Sequence, residues 1–227
     1  PNAHEAELVA AACKGSSGTA VSDSCSASHR GDSLPVVQTG TVQSPKNVTS
    51  PLRWAGGKRW LLPLIQELMG EREFRAYHEP FLGGASVFLG LPPFKKAFLG
   101  DANAELIATF STIRDHPTRV ALQAGEYPND EETYYEVRAS APQGRIARAA
   151  RFLYLNHTSF NGIYRVNLDG VYNVPYGQGR VAHIPAASHL KHVATRLANA
   201  RLQVGDFQAC LPMVEKGDLV FLDPPYT

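Results

Sequence analysis

No apolar run in these 227 residues approaches the roughly 18 that a membrane span requires. Cysteine is scarce. Cys13, Cys25 and Cys210 lie too far apart for a disulfide framework or a zinc pattern, so a reduced, cytoplasmic setting with no metal is expected. The chain opens on Pro1, and no basic segment leads into an apolar stretch, so no signal peptide is predicted. Phe, Trp and Tyr are absent from the first 49 positions, which are instead rich in serine. Such a segment cannot bury enough apolar surface to offset its ordering entropy, so 1–49 is expected to be a disordered tail, with at most a marginal helix at ELVAAAC. No internal repeat is present.

What is there begins with charge, whose net value of +1 hides an uneven distribution. Arg138 to Arg201 holds nine Lys/Arg against the single acid Asp169, an excess of +8. Asp101 to Val137 holds eight acids against two bases, an excess of −6. A basic block inside a near-neutral chain is the footprint expected of phosphate contact, or else a solvated basic surface. From Pro51 the texture becomes that of a folded domain. RWLLPLIQELM has helical spacing, and Pro63 places its first turn near Leu61. A strand is predicted at AYHEPFL, a glycine turn opening a helix at GGASVFLGL, a second strand at KKAFLGD and a helix at ANAELIATFSTIRD. Another helix is predicted over GRIARAARFLYLNH, a hairpin-like region over NGIYRVNLDGVYNVPYG and a helix over SHLKHVATRLANA. A last strand, Leu219 to Asp223, delivers DPPY. This alternation predicts an α/β sheet, with the helical, basic block between about 115 and 200 as an insertion or second domain.

Three stretches carry chemistry. Gly83-Gly84, after a strand, lets the backbone turn tightly and approach a ligand, with a helix start behind it. Asp101 follows Gly83 by 18 positions, near the offset at which an acid takes ribose hydroxyls in nucleoside-binding sheets; it would equally serve as N-cap of the next helix. RWAGGKRW fails as a phosphate loop, because Lys58 precedes Arg59 rather than Ser/Thr and Leu52 occupies the first glycine position. It leaves an aromatic face, Trp54, and a cation, Lys58, beside a mobile turn. These could hold a small zwitterion, or Trp54 could sit in the core at a helix entry. DPPY projects from a strand end, where open α/β sheets bind ligands. The lone pair of an exocyclic base amine is delocalised. The carboxylate of Asp223 and the carbonyl of Pro224, stiffened by two prolines, could accept both its N–H groups and free that pair. Tyr226 offers a stacking face for an extruded base, although a capped strand-end turn explains DPPY as well.

In order, RWAGGK, EPFLGGASVF, LGDANAEL, SFNGIYRVN, GVYNVPYG, GDF and DPPY resemble the DNA adenine methylase (Dam) family of S-adenosylmethionine-dependent N6-adenine methyltransferases, over about Pro51 to Thr227. The resemblance implies a Rossmann-like methyltransferase sheet with an inserted, mainly helical DNA-recognition domain. Its divisions are 50–114 (cofactor part), 115–202 (target recognition) and 203–227 (catalytic strand and loop). It implies S-adenosyl-L-methionine as cofactor and duplex DNA, with a GATC site, as substrate. Trp54, Lys58, Glu79, Phe81, Gly83, Asp101, Asp206 and Asp223 fall on cofactor-contacting positions, with Asp206 near the cofactor's adenine. Asp223, Pro224 and Tyr226 fall on the catalytic loop. Arg53, Phe160, Asn161, Ile163, Arg165 and Pro175 fall on DNA-contacting positions, Arg53 where the family usually has Lys. Arg165 is suited to bidentate reading of a guanine, while Arg151 and Lys191 are expected to hold phosphates.

The family continues for several strands and helices after DPPY, so the C-terminal part of the sheet is expected to be missing. The alternatives are a catalytically inactive, truncated DNA-binding fragment or an RNA or protein methyltransferase. The last fits less well, since protein-glutamine enzymes carry Asn where Asp223 stands. A monomer is expected.

Overall fold

The computed structural model describes residues 48–178 and 183–225. Four parallel strands form its sheet: β1 (Tyr77–Glu79), β2 (Ala97–Asp101), β3 (Ala200–Val204) and β4 (Leu219–Val220), in the order β3-β2-β1-β4. Tyr77 pairs with Ala97 on one side and Leu219 on the other, and Leu99 pairs with Leu202. The chain therefore steps outward from β1 to β3 and returns across the sheet to place β4 on the far side of β1. Such a reversal opens a crevice at the carboxyl ends of the strands on either side of it.

Each helix starts where local chemistry allows. After a short 3-10 turn at Arg59–Leu61, α1 (Leu62–Met69) has Pro63 in its first turn, where a missing N–H costs little, and it stops at Gly70, whose φ is +57°. Next comes α2 (Ser86–Gly90). Asn103 caps α3 (Ala104–Asp115), its side chain accepting the Leu106 N–H at 3.0 Å. After α4 (Pro117–Gly125), Asp130 accepts the Thr133 N–H at 2.8 Å to cap α5 (Glu131–Ala139), with Glu131 and Glu132 in the first turn favoured by the helix dipole. The long helices α6 (Arg145–Thr158) and α7 (Ala187–Leu197) complete the set. The element β3 has no counterpart in the expectations from sequence, while α4 and α5 fall inside the block expected to be helical without being placed individually.

One apolar core joins the sheet to α3, α4, α6 and α7, through residues such as Tyr77, Leu99, Phe110, Val120, Leu153 and Leu190. A smaller cluster, with Tyr134, Tyr154, Tyr172 and Val174, lies under α5, α6 and the segment after α6. Val48 is buried, and its N–H bonds the Leu89 carbonyl at 3.2 Å, although composition places it in the tail. The last strand is shorter than expected. Phe221 still donates to the His78 carbonyl, at 2.9 Å, before the chain leaves the sheet towards two prolines that have no N–H to give. Its start is pinned by Asp218, which accepts from Arg75 Nε at 2.9 Å and Nη2 at 2.8 Å and lies 2.8 Å from Nε2 of the fully buried His78. Among the described residues, no helix is long and apolar enough to cross a membrane.

Candidate active site

A cavity of about 370 Å³ opens at the carboxyl ends of β1, β2 and β4. The turn after β1 supplies Phe81, Gly83 and Gly84. Gly83 has φ +47°, a region costly for residues with a Cβ, and its N–H donates to Asp101 Oδ2 at 2.9 Å. Asp101 Oδ1 accepts the Asn103 N–H at 2.9 Å. Because Asn103 caps α3, Asp101 is released from the capping role, and its carboxylate is instead fixed at the cavity wall by two backbone amides.

At the end of β1, Glu79 is buried yet borders the same cavity. Its Oε2 accepts from the Tyr77 hydroxyl at 2.9 Å and from the Phe88 N–H at 3.2 Å. Burial pushes its carboxyl up to about 8; those two hydrogen bonds oppose the rise, and the charges of Asp223 and Asp101 add to it.

The loop preceding α1 crosses the mouth of this crevice. Lys58 Nζ donates to the Gly56 carbonyl and to Asp223 Oδ2, both at 2.8 Å. Trp54 lines the cavity with its ring against the glycine turn: a Cβ on Gly83 would stand 2.9 Å from two atoms of that ring. Its other side stacks on Tyr164, centroids 5.7 Å apart at 22°. Asp223, Pro224 and Pro225 also line the cavity. Tyr226 lies outside the described residues. Asp206 is exposed, capping a 3-10 turn by accepting the Gln208 N–H at 3.1 Å. It is not among the residues that line the cavity; its neighbour Phe207 stacks on Phe81 of the cavity wall, ring centroids 5.6 Å apart.

Beyond α6 the chain forms an arch closed by antiparallel bridges at Ser159–Tyr176 and Val166–Tyr172. Phe160 and Ile163 are exposed, and Asn161 adopts a left-handed φ of +57°. The Phe160 N–H is taken by the carbonyl of exposed Pro175 at 2.9 Å. Arg165 is oriented by Asn173, through its Oδ1 at 2.8 Å and its carbonyl at 3.3 Å. Arg53 is exposed beside this arch, with Nη1 3.4 Å from the His157 carbonyl.

A family model described as D12 class N6 adenine-specific DNA methyltransferase matches residues 54–227. The chain belongs to this family. It is 38% identical over 184 residues to the Type II methyltransferase M1.LlaDCHI of Lactococcus lactis subsp. cremoris, aligning 77% of this chain with 64% of that protein. It is 34% identical over 181 residues to the DNA adenine methylase of Escherichia coli (strain K12), with the same coverages. It is 32% identical over 196 residues to the Type II methyltransferase M.MjaIII of Methanocaldococcus jannaschii, covering 77% of this chain and 68% of that protein. The chain thus spans less than two thirds of the length of the first two relatives.

Within this D12-class chain the basic block divides by partner. The half-buried Arg151 donates from Nε to the carbonyl of Val137 (2.9 Å) and from Nη2 to that of Arg138 (2.6 Å), so it caps the last turn of α5, a role the phosphate contact expected of it does not include. Arg196 is buried and donates to the carbonyls of Phe88 and Leu91, at 2.9 and 2.6 Å, at the end of α2. Arg138 reaches the Val174 carbonyl at 3.1 Å. Arg148, Arg165, Lys191 and Arg201 are exposed and retain the phosphate-facing option. Two residues that contact the site escaped the sequence reading, Tyr164 and Asn156. The only available signal for Asn156 is an amide on the apolar face of α6, near Phe152 and Leu153.

Proposed function

We propose that this chain carries the cofactor site and the target-reading arch of a DNA methyltransferase that methylates N6 of adenine in duplex DNA, within GATC. The supporting observation is the convergence on one cavity of Asp101, Glu79, Trp54, Lys58 and the Asp223-Pro224 loop, from segments far apart in sequence. Supplied by S-adenosylmethionine, the reactive group is an electrophilic methyl on a sulfonium. The donor set suits this ligand: carboxylates for its ammonium and ribose hydroxyls, and apolar faces at Trp54 and Phe81 for its adenine. Asp101 would hold the ribose, and the Phe81–Phe207 stack with Asp206 beyond it would border the cofactor's adenine.

For the reaction, Asp223 and the Pro224 carbonyl accept the two N6–H groups of the extruded target adenine, drawing that nitrogen towards tetrahedral geometry and freeing its lone pair for attack. Pro224 and Pro225 keep the acceptors in place, so little reorganisation accompanies the reaction. Lys58, bonded to the other side of Asp223, fixes the orientation of the carboxylate. The exposed arginines of the arch and helices meet the duplex, with Arg165 presenting its fork to a guanine.

Transfer of tritiated methyl from S-adenosylmethionine to GATC and scrambled duplexes, with Asp223→Ala as control, tests the reading. Incorporation confined to GATC and lost in the variant is expected. Equal incorporation by Asp223→Ala would refute the assignment, and duplex binding with no transfer by the wild type would favour a DNA-binding fragment.

A further inference from the structure

The cofactor-side loop and the arch meet at one buried side chain. Asn156, on α6, is 2% exposed. Its Oδ1 accepts the Arg53 N–H at 2.7 Å, and its Nδ2 donates to the Arg53 carbonyl at 2.7 Å and to the Gly162 carbonyl at 3.2 Å. One amide thus grips both polar groups of a loop residue, as a neighbouring strand would, and holds the arch with its remaining N–H. The fit is close: a Cβ on Gly162 would stand 2.6 Å from Arg53 Cβ. One residue on from Arg53 and two on from Gly162, a second contact joins the same segments, since Trp54 stacks on Tyr164 of the arch. Tyr164 in turn donates to Glu105 Oε2 at 3.2 Å, in the first turn of α3, four residues beyond the cavity carboxylate Asp101.

We propose that Asn156 is a positioning residue that locks the cofactor loop and the arch into one arrangement, so that cofactor and target duplex bind cooperatively. The inference rests on the functional reading above. A buried amide with three bonds to two segments has no equivalent arrangement if either segment moves, because the Asn156 amide and the buried Gly162 carbonyl would be left without partners. Ordering of Trp54 and Lys58 around the cofactor therefore favours the arch geometry that presents Phe160 and Arg165. Linkage requires that duplex binding tighten the cofactor by the same factor.

The test measures dissociation constants of S-adenosylhomocysteine with and without a GATC duplex, for the wild type, Asn156→Asp and Gly162→Ala. Asn156→Asp keeps an acceptor for the Arg53 N–H and loses the amide donors. Gly162→Ala leaves Asn156 in place and pushes Arg53 from the arch side. In the wild type the duplex should tighten S-adenosylhomocysteine at least about fivefold, and the ratio should fall towards one in both variants. In the wild type, S-adenosylhomocysteine alone should also slow amide hydrogen exchange at Gly162 and Ile163, a readout that stands if a variant fails to fold. Retained cooperativity in the variants, or wild-type binding of both ligands with neither cooperativity nor arch protection, overturns the proposal while leaving the functional reading intact. A wild type that binds neither ligand overturns both.

Discussion

Lys58 Nζ lies 2.8 Å from Asp223 Oδ2, across 165 positions of sequence. The pair is largely shielded, with side-chain exposures of 12% and 22%, and it joins the loop before α1 to the loop after β4 at the cavity wall. The ammonium also offsets a concentration of negative charge, because Glu79 feels both Asp223 and Asp101.

Lys58→Ala should therefore damage methyl transfer more than folding. Loss of a charge-assisted bond at a shielded site costs about 1.5–3 kcal/mol, a fall of roughly tenfold to a hundredfold in kcat/KM. Steady-state kinetics on a GATC duplex, beside thermal melts, measure both. An unchanged kcat/KM would remove Lys58 from the machinery.

Glu79 makes a pH-dependent prediction. Its folded-state value of about 8 lies above the ordinary 4.5, so the native state prefers the protonated carboxyl. The stability this gives is fully present below about pH 4.5 and is lost as the pH rises through about 8. Glu79→Gln keeps a neutral acceptor for the Tyr77 hydroxyl and the Phe88 N–H. Relative to wild type, the variant should gain stability between pH 4 and pH 9, by on the order of 4 kcal/mol. Denaturant melts across that range check it, and a pH-independent difference would contradict it.

Arg165 and Arg151 should separate cleanly. Arg165→Ala removes an exposed fork and should relax discrimination at one base pair, worth about 1–3 kcal/mol. Arg151→Ala uncaps α5 and should lower stability by about 1–2 kcal/mol, with duplex affinity little changed below the melting range. Binding titrations on matched and mismatched duplexes, read with the melts, distinguish them. A uniform loss of affinity with Arg151→Ala would return it to the phosphate-binding set.

Gly83→Ala puts a methyl 2.9 Å from ring atoms of Trp54 at a φ of +47°. The strain costs about 1–3 kcal/mol, and the indole must leave the cavity wall. At least a tenfold weaker S-adenosylhomocysteine affinity is expected by calorimetry. Unchanged affinity would show that Trp54 does not shape the site.

Much of the site was legible because its chemistry is local punctuation. A strand ending in Gly83-Gly84, a second ending in Asp101 and a third running into two prolines can each be read within ten residues. Their convergence also follows the general rule that ligands sit at strand carboxyl ends. Other features were not legible. In β3, the run ARLQV alternates apolar with Arg201 and Gln203 over only five residues, too brief a signal beside α7. Helices α4 and α5 are nine residues each, and α5 buries only Tyr134 and Val137. For Asp101 the sequence allows both capping and ligand contact, and in the structure Asn103 takes the cap.

By itself the sequence determined the family, the α/β alternation and the residue types that face the cavity, since these depend on backbone preferences and on motifs within short windows. Only the tertiary structure decided which charges are available. Arg151 and Arg196 count as +2 in any linear tally, yet their guanidiniums are taken by helix-end carbonyls supplied by other segments. The same holds for Asn156, whose partners Arg53 and Gly162 lie 103 residues before it and 6 after. A hydrogen bond needs its donor and acceptor within about 3 Å and aligned, and no window of sequence reports that distance.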